Sequence, residues 1–76
     1  MPTLVRLSHT KLVMYAGDHN PPHFHVLSHD GSEAWVNIDT LAVVWGKVHP
    51  SAWREVLAWS QLNTGLLAAK WKELNP

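Results

Sequence analysis

The sequence contains no cysteine. That absence excludes a disulfide framework and any thiolate metal site, so His, Asp and Glu are the side chains left to hold a metal ion. It also lacks an excess of charge of either sign: six Lys and Arg balance six Asp and Glu. The bulk attraction to phosphate backbones that drives general nucleic-acid binding is therefore missing. No apolar run has the length of a membrane span. The opening residues Met1-Pro2-Thr3-Leu4-Val5-Arg6-Leu7-Ser8 lack the basic region and apolar stretch of a secretory signal. These absences lead to the expectation of a cytoplasmic protein with no membrane partner.

What the chain does have is histidine and tryptophan, with six His and five Trp among 76 residues. Its 46% hydrophobic content argues for a packed core rather than disorder. The length fits one domain, 1–76, near the lower limit for a fold that stands alone. Three of the imidazoles fall in one stretch, Asp18-His19-Asn20-Pro21-Pro22-His23-Phe24-His25. The prolines exclude helix and make Asn20-Pro21-Pro22 an extended or turned connector. Beyond them His23-Phe24-His25-Val26 alternates polar with apolar, the pattern of a strand with both histidines on one face.

The elements expected around this stretch form an α+β unit: a small antiparallel sheet of three to four strands, then two C-terminal helices packed on one face. Thr3–Leu7 reads as a short strand or an extended arm. Lys11–Ala16, His23–Ser28 and Glu33–Ile38 alternate as strands, and Leu41–Trp45 is a fourth, closed by Gly46. A two-residue hairpin turn at Asp30-Gly31 would put His23 and His25 opposite Ile38 and Val36, on the most apolar face. A three-residue loop with Gly31 in the left-handed position instead pairs Phe24 with Val36 and Val26 with Ala34. The buried face normally fixes register, so the second arrangement is expected, with His23, His25, Glu33, Trp35 and Asn37 sharing the other, half-exposed face. His49-Pro50-Ser51 opens a helix running to Leu62, with Glu55 expected to meet the positive end of its dipole. Asn63-Thr64-Gly65 breaks the chain before a second helix carrying Leu67, Trp71 and Leu74.

The string Asp18-His19-Asn20-Pro21-Pro22-His23-Phe24-His25-Val26, with Ile38-Asp39-Thr40-Leu41 and Trp59, Leu62 and Trp71, resembles a family of small bacterial proteins known chiefly as a domain of unknown function. The resemblance covers most of Val13–Leu74. It implies a gene beside a second small gene, as in type II toxin–antitoxin pairs, with this chain the toxin-like member and an antitoxin-like protein from the adjacent gene as its partner. It also implies an acidic residue and a His where this chain has Ala58 and Asn63.

Three chemistries fit the His face. Two imidazoles at i and i+2 on a strand lie roughly 7 Å apart at Cα and can reach one divalent ion such as Zn²⁺, with His19 or Asp18 as third ligand and Glu33 a weaker candidate. Alternatively His23 and His25 act as acid and base on a phosphodiester, which needs Arg6, Lys11 or Arg54 for charge stabilisation. Thirdly, Trp35, Asn37 and Asn20 form a binding surface for the adjacent-gene protein or for a second copy in a homodimer. Thus a toxin-like protein acting through His19, His23 and His25 stands against a non-catalytic metal-binding or regulatory module using the same face. Trp45, Trp53, Trp59 and Trp71 read as core, and His9, His29 and His49 as solvated polar residues.

Overall fold

A computed structural model describes residues Thr3–Pro76. Met1 and Pro2, the first residues of the N-terminal stretch and of the expected unit 1–76, lie outside the described residues. The sheet has five strands rather than three to four: β1 (Thr3–Arg6), β2 (Thr10–Val13), β3 (His23–Ser28), β4 (Glu33–Asn37) and β5 (Val43–Gly46). They follow one another in the order β1-β2-β3-β4-β5, each antiparallel to the last. Helices α1 (Pro50–Leu62) and α2 (Thr64–Leu74) complete the fold. No helix among the described residues is long and apolar enough to cross a membrane.

Thr3–Leu7 becomes a strand because it pairs with β2, Arg6 lying opposite Lys11. The expected strand Lys11–Ala16 is displaced: β2 starts at Thr10 and leaves the ladder after Val13, where Met14 turns into the core and Tyr15–Gly17 begins a loop. The β3–β4 hairpin has the three-residue loop, with Phe24 opposite Val36 and Val26 opposite Ala34. Gly31 has φ 92°, and its N–H donates to Ser28 O at 3.0 Å. A residue with a Cβ disfavours that φ, so the glycine sets the loop and the loop sets the register.

One sheet face carries Leu12, Phe24, Val26, Ala34 and Val36, all fully buried against Val56 of α1 and Leu67 and Trp71 of α2. The alternation in β2, β3 and β4 supplies this face, and each helix adds an apolar stripe. Two expectations fail around it. Trp45 is not core: it lies at the sheet edge, 53% exposed and stacked on Trp35 with ring centroids 4.7 Å apart. Glu55 does not serve the α1 dipole: its carboxylate accepts from Ser8 N–H and Ser8 Oγ, fastening the β1–β2 turn to the helix. The turn before β5 is held by Asn37, whose Oδ1 accepts from the backbone N–H groups of Asp39 and Thr40. Asn63 alone separates the helices, and Thr64 and Gly65 already belong to α2.

Candidate metal centre

The histidines on the other sheet face are buried as well. His23 is 2% exposed and His25 7%, a correction to the half-exposed face expected from alternation. The cover comes from the β2–β3 loop, which folds back over the strands that flank it. Tyr15 sets its ring edge-on to His25 at 4.6 Å, and Asp18 and His19 lie against both imidazoles. The C-terminus of α2 fastens the loop, because Gly17 N–H donates to Leu74 O and Asn75 Nδ2 donates to Tyr15 O. Trp71 of α2 meets the His23 ring at 5.6 Å and closes that end of the face.

At the centre both Nε2 atoms converge on one oxygen. Asp18 Oδ2 lies 3.1 Å from His23 Nε2 and 3.0 Å from His25 Nε2. The opposite nitrogens are held by acceptors: His23 Nδ1 donates to Pro21 O at 2.7 Å, and His25 Nδ1 lies 3.0 Å from Glu33 Oε2. Glu33 Oε2 is fixed in turn by the Trp35 indole N–H at 3.1 Å. The short reach from Pro21 to His23 follows from the proline turn, and that of Glu33 to His25 from the hairpin register, which puts Trp35 directly opposite His25.

Proton counting makes this arrangement informative. A carbonyl oxygen only accepts, so the proton of a neutral His23 is on Nδ1, and Nε2 presents a lone pair to a carboxylate oxygen. His23 Nε2 lies 3.1 Å from Asp18 Oδ2 but off the axis of a hydrogen bond, and it is buried without a partner. His25 faces a carboxylate at each nitrogen, whereas a neutral imidazole has a single N–H. A second proton on a ring, a proton on Asp18 or a metal ion would each relieve the facing of nitrogen lone pairs and carboxylate oxygens.

The donor set fits such an ion. Asp18, His23 and His25 each offer a ligand atom, all within 4.8 Å of one another. Donors at about 2.1 Å from a tetrahedral ion lie roughly 3.4 Å apart, so the two contacts of Asp18 Oδ2, at 3.1 and 3.0 Å, need to open by only a few tenths of an ångström. Histidine ligands ordinarily give their second nitrogen to a carbonyl or carboxylate, as both rings do here. Burial pushes the Asp18 carboxyl up. The His25 hydrogen bond, the His19 backbone N–H and the charges of His23 and His25 outweigh that push and hold it below its ordinary value. Hydrogen bonds from His25 and then from Trp35 hold Glu33 below its ordinary value as well.

The remaining candidates separate from this trio. His19 is largely exposed and reaches the other Asp18 oxygen, with Nδ1 3.1 Å from Oδ1. Asn20 is exposed and precedes a cis peptide to Pro21. Asn37 serves its turn, and Trp35 orients Glu33 while stacking on Trp45. Among the described residues Arg6, Lys11 and Arg54 form no ion pair with the cluster, and Arg54 is exposed on α1, which packs on the opposite sheet face. Two partners escaped sequence reasoning: the Pro21 carbonyl, which carries no side-chain signal, and Tyr15, whose position depends on a loop fold. Glu33 was visible as a face neighbour of His25, but as a weak ligand rather than as the group holding its Nδ1.

A family model described as "Domain of unknown function (DUF4160)" matches residues 10–72. That span runs from the first residue of β2 into the last turn of α2 and contains the whole cluster. No curated protein matches the chain, and no solved structure matches it.

Proposed function

The chain belongs to this family of unknown function, and we propose that it is a metal-binding module that holds one divalent transition-metal ion such as Zn²⁺ on Asp18, His23 and His25. The observation that supports this most is the buried, unpartnered His23 Nε2, which lies 3.1 Å from the Asp18 oxygen that His25 Nε2 also approaches. Two imidazoles and one carboxylate suit zinc or a non-haem iron, and Glu33 and Pro21 O act as the outer partners that fix ring orientation. Acid–base work by His23 and His25 is less well supported, because both rings are nearly sealed from solvent and such catalysis needs a ring nitrogen within reach of substrate.

Elemental analysis of untagged protein tests the reading. Near-stoichiometric Zn, Fe, Mn or Ni in the parent protein, lost in Asp18→Asn with the fold intact by circular dichroism, is the expected result. Parent protein that carries no metal and takes up added Zn²⁺ or Co²⁺ no better than Asp18→Asn overturns it.

A toxin-like role in a two-gene pair is a second reading. It draws support from the exposed Trp45 stacked on Trp35 beside the cluster, an aromatic surface of the kind that anchors protein partners. Inducing the lone gene tests it: growth arrest relieved by co-expressing the adjacent gene is expected, and unaffected growth rules the role out.

A further inference from the structure

Three further histidines also come together. His9, His29 and His49, from three separate segments, line a cleft of about 460 Å³ with Ser28, Asp30, Ser51 and Ala52. It lies beyond the far end of β3 from the Asp18, His23 and His25 cluster: His29 follows His25 by four positions, roughly 13 Å of extended chain. The volume falls within the range of about 300–1,000 Å³ usual for small-molecule sites.

The lining has a definite chemistry. His29 N–H donates to His9 O at 3.0 Å, which holds these two residues side by side. His49 Nδ1 accepts from Ser51 N–H at the head of α1, so the proton of its neutral ring is on Nε2, a free donor. The first turn of α1 contains no acidic residue, and Glu55 is committed to Ser8. Pro50 has no N–H, Ser51 N–H is capped by His49, and Trp53 N–H closes on His49 O. Ala52 N–H is the first-turn donor left over, in a residue only 4% exposed. Ser28 Oγ is likewise buried without a partner. These donors suit an anion placed at the positive end of a helix. Asp30 sets the other half of the requirement. Its Oδ1 is occupied by Ser32 N–H at 2.9 Å and Ser32 Oγ at 2.6 Å, which leaves Oδ2 to accept from a hydroxyl.

We propose that this cleft binds a small hydroxylated phosphate monoester, with phosphate on the His9, His29, His49 and Ala52 donors and a hydroxyl on Asp30. The proposal is independent of the metal reading, since no residue is shared.

Ribose 5-phosphate is the probe, with ribose and inorganic phosphate as partial ligands, followed by ¹H–¹⁵N NMR of the full chain. The expected result is saturable shifts of the Ala52 amide and of the three cleft imidazoles, with the His23 and His25 rings unmoved. Affinity should fall about tenfold or more in the His9→Gln/His29→Gln double variant and in Asp30→Asn, a loss of the size given by one hydrogen bond to a charged group. Both variants alter exposed side chains, so folding should persist, and the amide spectrum checks it. Ribose alone should not bind, and inorganic phosphate should bind more weakly than the ester. Absence of saturable shifts at Ala52, or equal response to ester and inorganic phosphate in parent and variants, overturns the proposal.

Discussion

Glu33 Oε2 accepts from two donors at once, His25 Nδ1 and Trp35 Nε1, and so joins the cluster to the indole beside it. Replacing Glu33 with Gln keeps the shape but removes the charge that favours His25 as a ligand. Metal affinity measured by chelator competition should then fall about 10- to 100-fold with stoichiometry unchanged; unaltered affinity would show that the carboxylate is irrelevant to the centre. At this scale the sequence was partly legible. His23, His25 and Glu33 share a face by simple alternation, and a three-residue loop around Gly31 follows from asking which register buries Phe24 and Val26. The burial of the imidazoles was not legible. It depends on Tyr15, Asp18 and His19 folding back from the loop, and loop conformation leaves no periodic trace in sequence.

Among the elements, β5 was the least well foreseen. Leu41–Trp45 reads as an apolar strand, but Leu41 takes φ 58° in the preceding turn, and pairing begins at Val43. The strand ends on Gly46 at φ 77°, where an added Cβ would lie 2.1 Å from Glu33 O and 3.0 Å from Ala34 Cα. Backbone cannot yield as a flexible side chain can. Gly46→Ala should therefore destabilise the protein by roughly 1–3 kcal/mol in urea unfolding, and it should weaken metal binding too, because β5 pairs with the strand that carries Glu33. Helix α2 presents another sensitive point: Leu67 is fully buried and Trp71 nearly so, and they are its only buried residues. Leu67→Ala should cost about 2–5 kcal/mol by the same measurement. Both helices were legible because His49-Pro50 marks a start and apolar residues recur at helical spacing. The diversion of Glu55 to Ser8 was not, because a contact 47 residues away leaves no local signal.

For the whole molecule, metal and pH should act together. Ion binding to the folded state alone adds about 2.7 kcal/mol when free metal is 100 times its dissociation constant. In a chain of this size that raises the melting temperature by roughly 10–20 °C, so EDTA should lower a metal-loaded melt by that order, and an unchanged melt would mean no bound ion. In metal-free protein, Asp18, Asp30 and Glu33 titrate below their ordinary values when folded. Their contribution is thus fully present above about pH 4.5, near the unfolded carboxylate values, and is lost as pH falls through the lower folded values. Melting temperature followed from pH 7 to pH 3 should drop across that acid window, and less steeply in Asp18→Asn. The order β1-β2-β3-β4-β5 has a further consequence. All three candidate ligands lie in one eight-residue stretch, and their outer partners arrive by Glu33, so a chain emerging from the ribosome carries the complete donor set before either helix has been synthesised. On the metal reading proposed above, capture of the ion can then precede closure of the core.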